Sequence, residues 1–340
     1  MNKPFRILSI DGGGIKGIFP AKVLAEIESD LQVRGSKRTN IFEHFDLIAG
    51  TSTGGIIALG LALGVPAKEI LNLYLGNAKS IFGNKRSCFA QIFYSAHKRD
   101  ALEKIIRETF KFGGRSDDPR LKDCKTNICI PIYDLVKGAP SVLKTKHHDE
   151  YVRDFHIPAY QVALATSAAP TFFDPYSTHY QDLAENQQVF SNKVDGGVVM
   201  NNPTLVAIIE AQKAFNQKLE NIRVLSIGTG NRTFCDASTK STWGLWYWIR
   251  QNNRKRLIEL FMQGQSQQVE NLVSILHRGI GKREPENFIY QRIDTVLDDT
   301  CDIELDETKT HKLEKLVEKG HTEFQNNVAN LRSRFFDMVS

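Results

Sequence analysis

A short apolar segment that runs directly into a serine framed by glycines constrains the fold more than any other part of this sequence. Phe45-Asp-Leu-Ile-Ala49 has the length and composition of a buried strand, and Gly50-Thr-Ser-Thr-Gly54 follows it without a spacer. The small residues from Gly55 to Gly64 then predict a helix. A G-x-S-x-G turn between a strand and a helix is typical of a nucleophile elbow, so we predict that Ser52 is a catalytic nucleophile. The alternative is a chance pentapeptide at a tight turn.

A second glycine-rich turn lies near the N-terminus. The predicted strand Phe5 to Ile10 is followed by Asp11-Gly-Gly-Gly-Ile-Lys-Gly17 and then by a predicted helix. Glycines without side chains allow several backbone N–H groups to converge on one point at a helix N-terminus, as an oxyanion hole requires. We therefore predict an oxyanion hole formed by the backbone N–H groups of Gly12, Gly13, Gly14 and Thr53.

The same loop also matches the dinucleotide-binding pattern G-x-G-x-x-G at Gly12, Gly14 and Gly17. That pattern requires an acidic residue about 20 positions further on, at the end of a second strand. The acidic residues Glu26 to Asp30 lie too early and within a helical pattern, and the next strand ends at the serine turn. A non-catalytic, Rossmann-type nucleotide-binding module that uses the Gly12–Gly17 loop is therefore the less favoured alternative.

An aspartate in a later turn is the candidate base. A predicted strand leads into Asp195-Gly-Gly197, where an aspartate could simply form an Asx turn. It can accept the proton of Ser52 only if burial raises its pKa and the two side chains are hydrogen-bonded. A Ser-Asp-His triad is the competing arrangement, but the downstream histidines lie in helical, mostly charged surroundings: His277, His311 and His321. We expect His147 and His148 to be exposed, and no metal-binding spacing is present.

The composition indicates an ordinary globular protein, with 41% hydrophobic and 24% charged residues. Its five cysteines are scattered, which favours reduced thiols in the cytoplasm over a disulfide framework. The sequence has no signal peptide and no apolar run long enough to span a membrane. We therefore expect a cytoplasmic protein. The net charge of +5 is only a weak indication of an anionic partner.

The order of the predicted elements indicates an α/β fold. The first third alternates strand, loop, helix, strand, turn and helix, which is typical of a parallel sheet covered by helices. Further strands are predicted at Asn127 to Tyr133, Ser141 to Thr145 and Asn221 to Gly228, and a helix at Thr204 to Phe215. Pro131 suggests that the strand containing it lies at a sheet edge or carries a bulge. We predict a catalytic domain over residues 5–230 and a C-terminal elaboration over residues 231–340.

The three glycine-containing blocks, in this order and spacing, resemble the patatin-like phospholipase family. Additional similar blocks are Ala165-Thr-Ser-Ala-Ala-Pro-Thr-Phe-Phe173, Asn201-Asn-Pro203 and Leu225-Ser-Ile-Gly-Thr-Gly230. The resemblance implies a three-layer α/β/α fold with a central, mostly parallel sheet. It also implies hydrolysis of glycerophospholipid acyl esters without a metal cofactor, by a Ser52–Asp195 dyad and an oxyanion hole at Gly12 to Gly14.

The similarity is strongest to bacterial members of the family, some of which are activated by cyclic dinucleotides in anti-phage defence. The resemblance thus implies a phospholipid substrate at the inner face of the cell membrane and a cyclic dinucleotide activator, with a homo-oligomer left open and no nucleic acid polymer as partner. The candidate contacts for such a ligand or for lipid are Trp246, Arg250, Arg254 and Arg256. A buried aromatic cluster beside a solvated, charged turn is the favoured alternative for this stretch.

Overall fold

A mixed eight-stranded sheet forms the centre of the part of the chain that the structure describes. This computed structural model describes residues 3–83, 85–86, 95–231, 256–281, 287–297 and 303–336. The strands are β1 Phe5–Ile10, β2 Leu47–Gly50, β3 Asn127–Asp134, β4 Ala139–Lys144, β5 Tyr176–Gln181, β6 Gln187–Asp195, β7 Ile222–Ile227 and β8 Ile289–Ile293.

The sheet is parallel at its centre and antiparallel at one end. Its strand order is β5-β6-β3-β2-β1-β7-β8, and β4 pairs with β3 in addition. Parallel ladders join β3, β2, β1, β7 and β8, whereas β4 and β6 run antiparallel to β3 and β5 runs antiparallel to β6. The predicted α/β fold with a mostly parallel sheet is therefore confirmed.

Helices cover both faces of the sheet and give the predicted three layers. They are α1 Ile18–Val33, α2 Thr53–Ala62, α3 Ala67–Phe82, α4 Asp100–Phe110, α5 Ala159–Thr166, α6 Gly197–Met200, α7 Thr204–Phe215, α8 Arg256–Gly281 and α9 Thr310–Leu331. Alternate residues of a strand point to opposite faces. In β1, Leu8 packs into the core on the face of α1 to α5 and α9, and Ile7 packs into the core on the face of α7 and α8.

The edge of β3 that faces β2 carries two strands end to end. Ala49 of β2 pairs with Cys129, and Asp195 at the end of β6 pairs with Ile132, only three residues further along β3. The other edge of β3 is occupied by β4. Because β2 and β6 run in opposite directions, their carboxyl ends meet head to head at this edge. Residues that follow these two strands are therefore brought together, although they are far apart in sequence.

Pro131 lies in the gap between these two ladders. The sequence predicted a sheet edge or a bulge here, and the edge assignment is wrong because β3 is an interior strand of the described sheet. The Pro131 carbonyl accepts a hydrogen bond from the Thr166 hydroxyl instead of from a strand. The N–H and C=O groups of one residue face the same edge of a strand, so the missing proline N–H also faces the gap and interrupts neither ladder.

The C-terminal region continues the same architecture. β8 extends the sheet beyond β7, and α9 packs along α1, where Gly320 allows close contact with Lys22. The proposed division near residue 230 stays a prediction. Among the described helices, none combines the length and hydropathy needed to cross a bilayer.

Candidate active site

Ser52 and Asp195 are hydrogen-bonded to each other at the point where β2 and β6 meet. The Ser52 hydroxyl donates to Asp195 Oδ2 over 2.6 Å. Ser52 is 5% exposed and Asp195 is 1% exposed, so both groups are shielded from water. The two residues are 143 positions apart, and the head-to-head strands account for their contact.

The backbone of Ser52 adopts a conformation that side chains rarely tolerate, with φ 55° and ψ −123°. Such strain persists only where the surroundings enforce it. Here the Ser52 N–H donates to the Thr166 hydroxyl over 3.0 Å, and that hydroxyl in turn donates to the Pro131 carbonyl. A Cβ atom on Gly50 would overlap the Gly54 carbonyl, so glycine is needed where the strand and helix meet. These features have the geometry of the predicted nucleophile elbow.

The environment of Asp195 makes its carboxylate an unusually strong base for an aspartate. Burial raises its pKa from 3.8 to about 7, although hydrogen bonds from the Ser52 hydroxyl and the Gly197 N–H favour the charged form. The Gly197 N–H donates to Oδ1 over 2.7 Å, which leaves Oδ2 facing the serine. The carboxylate can thus both orient the serine and accept its proton near neutral pH.

The backbone amides of the glycine loop differ in whether they are free to bind an oxyanion. The Gly12 N–H donates to the Asn201 carbonyl over 3.0 Å, so it is not free to bind an oxyanion in this conformation. In the described part of the chain, the Gly13 and Gly14 N–H groups have no acceptor, and Gly14 lines the same cavity as Ser52. The Thr53 N–H belongs to the first turn of α2, where amides lack intrahelical partners. Three of the four predicted donors are therefore available.

An ion pair that the sequence did not reveal anchors this loop. The Asp11 carboxylate binds Arg292 of β8 through two hydrogen bonds of 3.0 and 2.7 Å, and Arg292 also binds Asp294. Burial raises the pKa of Asp11 to about 6 against the opposing effect of Arg292. Arg292 lies outside the glycine-containing blocks, and no motif near it indicates this pairing.

An apolar cavity of about 50 Å³ opens beside the Ser52 hydroxyl. Its walls come from helices and loops that are distant in sequence and include Ile56, Phe82, Leu102, Phe172, Met262 and Leu305. Apolar walls beside the nucleophile are suited to contact with the hydrocarbon part of a lipid substrate. No local motif predicted these residues.

A separate polar cavity of about 40 Å³ lies against the glycine loop. Its lining includes Gly12, Gly13, Asn201 and Thr229. The Gly12 carbonyl on this side already accepts a hydrogen bond from the Thr229 hydroxyl, and the Gly12 N–H is bonded to the Asn201 carbonyl, so neither group is free to bind a pyrophosphate. The geometry thus gives no support to the Rossmann-type alternative.

The histidines considered for a triad have other partners or lie on the surface. The rings of His277 and His321 are hydrogen-bonded to the Phe288 carbonyl and to Glu26, and His311 is exposed at the start of α9. Of the described groups, only the Ser52 hydroxyl and the Gly197 N–H are hydrogen-bonded to the Asp195 carboxylate.

The prediction that His147 is exposed is wrong. Its side chain is only 2% exposed, because it stacks on Phe215 and is hydrogen-bonded to Glu210. Three possible metal-ligand atoms lie within 4.8 Å of one another, one each from Cys129, His147 and Glu210. However, Lys144 already supplies a cation to Glu210, and burial raises the pKa of the Cys129 thiol. We interpret this cluster as structural: Glu210 forms an ion pair with Lys144 and is hydrogen-bonded to His147.

The predicted ligand or lipid contacts cannot be placed. Trp246, Arg250 and Arg254 lie outside the described residues, and Arg256 begins α8 without a described side chain.

Comparisons with known proteins agree with this architecture. A family profile described as patatin-like phospholipase matches residues 8–208. A cGAMP-activated phospholipase of Escherichia coli (strain TW11681) is 31% identical over 341 residues, covering 94% of this chain and 89% of that protein. A second cGAMP-activated phospholipase, from Vibrio cholerae, is 34% identical over 66% of this chain and 64% of its own length. Patatin-like protein 3 of Arabidopsis thaliana is 28% identical over 98% of this chain and 84% of that protein. The chain is a lipid acyl hydrolase and belongs to the patatin-like phospholipase family.

Proposed function

We propose that this protein is a phospholipase that cleaves acyl esters of glycerophospholipids, with Ser52 as the nucleophile and Asp195 as the general base. The observation that carries this proposal is the buried 2.6 Å hydrogen bond between the two side chains beside an apolar cavity. An isolated serine is a weak nucleophile, and a desolvated carboxylate within hydrogen-bond distance is the group that can activate it.

The arrangement supports a two-step reaction. The Ser52 oxygen attacks the ester carbonyl carbon as its proton moves to Asp195 Oδ2. The oxyanion that forms accepts hydrogen bonds from backbone N–H groups, for which Gly13, Gly14 and Thr53 are available. The bond to the alcohol then breaks, and Asp195 returns the proton to that alcohol as it leaves. Water attacks the acyl-enzyme, giving its proton to Asp195, and release of the fatty acid restores the Ser52 hydroxyl.

The catalytic assignment is tested by labelling with a fluorophosphonate and by measuring fatty acid release from phospholipid vesicles. Ser52→Ala is expected to abolish both, and Asp195→Asn to lower both by at least about a thousandfold, because it retains shape but cannot accept a proton. Ser177→Ala is the matched control, since Ser177 is an exposed residue of β5. Undiminished labelling of the Ser52→Ala variant would overturn the assignment.

We also propose that the enzyme acts peripherally on a membrane through the first turns of α8. Phe261 is 61% exposed, whereas the neighbouring Met262 lines the cavity beside Ser52. An exposed aromatic ring next to the cavity is suited to insertion among lipid headgroups. This contact would bring the bilayer surface close to the nucleophile.

A matched pair of substitutions on one helix tests this membrane contact. Phe261→Ser is expected to reduce vesicle hydrolysis by about tenfold while hydrolysis of a short, water-soluble ester is unchanged. Ile275→Ser is the control, because Ile275 is equally exposed at 59% but lies about 20 Å further along α8. Equal losses of vesicle hydrolysis in the two variants would contradict a specific contact at Phe261.

Regulation by a cyclic dinucleotide is the remaining part of the proposal. Two of the relatives are named cGAMP-activated phospholipases. A ligand that binds a more active conformation more tightly than a less active one would raise activity by shifting the population. Addition of cGAMP to the purified protein is expected to increase fatty acid release. Constitutive hydrolysis that no cyclic dinucleotide changes would exclude this regulation and leave the catalytic assignment intact.

A further inference from the structure

The carbonyl of Gly12 is held by two buried side chains that no step of the proposed reaction uses. The Thr229 hydroxyl donates to it over 2.9 Å, and Asn201 Nδ2 donates to it over 3.4 Å. Thr229 follows β7, and Asn201 follows α6. Both belong to blocks by which the sequence resembles its family, Leu225 to Gly230 and Asn201 to Pro203, for which the reaction alone gives no role.

Fixing this carbonyl also fixes the direction of the next N–H group. A trans peptide is planar, so the Gly12 C=O and the Gly13 N–H point in opposite directions. The carbonyl faces Thr229 and the polar cavity. The Gly13 N–H therefore points to the other side of the loop.

The glycine loop lies next to the nucleophile. A Cβ atom built on Gly12 would lie 3.1 Å from the Ser52 Cβ, and Gly14 lines the cavity that contains Ser52. The Gly13 N–H also has no acceptor among the described residues. An unpaired amide that points away from Thr229, in a loop next to Ser52, is a suitable donor to the oxyanion.

The hydrogen bonds to the Gly12 carbonyl matter because a peptide between two glycines rotates easily. Neither neighbour has a side chain to restrict its backbone, so the peptide has a low steric barrier against turning over. The reversed peptide would present a carbonyl oxygen where the negative charge develops and would repel it. Asn201 restricts the loop a second time, because its backbone carbonyl accepts a hydrogen bond from the Gly12 N–H.

We propose that Thr229 and Asn201 are positioning residues that hold the Gly12–Gly13 peptide with its N–H directed at the oxyanion formed on the Ser52 ester. This inference rests on the proposed function. In this proposal, the side chains that line the polar cavity orient the glycine loop and do not bind a nucleotide. Neither side chain is hydrogen-bonded to Ser52 among the described residues, and in this proposal both act through the peptide.

The test compares Thr229→Val, which removes the hydroxyl but keeps the branched shape, with Thr229→Ser, which retains the hydroxyl. For a water-soluble ester, Thr229→Val is expected to lower kcat about 10- to 100-fold with KM unchanged, because the donor acts on the transition state. Thr229→Ser is expected to restore kcat to within about threefold of the wild type. Affinity for a trifluoromethyl ketone, which forms an oxyanion on the serine, should fall in Thr229→Val by the same factor as kcat/KM.

A buried threonine elsewhere provides the control. The Thr204 hydroxyl is hydrogen-bonded to Ser9 and Ser226 and makes no bond to the glycine loop, so Thr204→Val is expected to change the melting temperature without the loss of kcat. Unchanged kcat in Thr229→Val, or no rescue by Thr229→Ser, would overturn the positioning role. Failure of Ser52→Ala to abolish hydrolysis would instead overturn the proposed function, which separates the two results.

Discussion

Replacement of Asp195 by asparagine should stabilise the protein increasingly as the pH rises. Burial raises the folded-state pKa of Asp195 to about 7, whereas an unfolded aspartate titrates near 3.8. The folded state therefore binds a proton that the unfolded state releases between these values, and wild-type stability is lost as the pH rises through this range. The full difference between the folded and unfolded pKa values corresponds to about 4 kcal/mol of unfolding free energy, of which about 3 kcal/mol is lost between pH 5 and pH 8.

The measurement is the free energy of unfolding by urea at several pH values between 5 and 8, for the wild type and Asp195→Asn. Asparagine does not titrate. The hydrogen bonds that it makes or loses therefore shift the difference in unfolding free energy between variant and wild type by an amount that does not depend on pH. The difference should therefore grow by about 3 kcal/mol across this range in favour of the variant. Asp182→Asn is the control, because Asp182 lies on the surface with its pKa below the ordinary value, and its difference should be flat. A difference for Asp195→Asn that stays constant within about 1 kcal/mol would refute the reasoning.

Further predictions concern activity and packing. The pH profile of kcat/KM should rise with pH through about 7 and then level off, because only ionised Asp195 accepts a proton; a fall over this range would contradict that role. Gly54→Ala should abolish labelling and lower the melting temperature, since its Cβ would overlap the Ile10 carbonyl, whereas Gly76→Ala in open space on α3 should stabilise by about 1 kcal/mol. Arg292→Met should cost about 3–5 kcal/mol in urea unfolding, because it leaves buried carboxylates unpaired. His277→Ala should retain ester hydrolysis, and loss of activity in that variant would point to an imidazole base.

The sequence predicted best those features that depend on contiguous residues. The strand and helix on either side of Ser52 were predicted because the apolar run and the small-residue run are uninterrupted. Helix α7 was predicted with both of its ends, Thr204 and Phe215. Pro203 precedes it, and Asn216 ends it in a left-handed conformation with φ 50°.

Features that depend on distant residues could not be predicted. The pairing of Asp11 with Arg292 joins residues 281 positions apart, and the walls of the apolar cavity come from separate helices and loops. Strand β5 alternates exposed and partly buried residues and is rich in polar side chains, so no strand was predicted there. The burial of His147 results from stacking on Phe215 and bonding to Glu210, neither of which has a local sequence signal.

The head-to-head meeting of β2 and β6 has a consequence for synthesis of the enzyme. A growing polypeptide that has emerged from the ribosome only as far as β5 contains Ser52 and the glycine loop, but not Asp195, the carboxylate that we propose as the base. More than half of the 340 residues must be translated, and β6 must dock on β3, before lipid cleavage can begin. If Asp195 is the base, unfinished or truncated chains of this kind cannot cleave lipid.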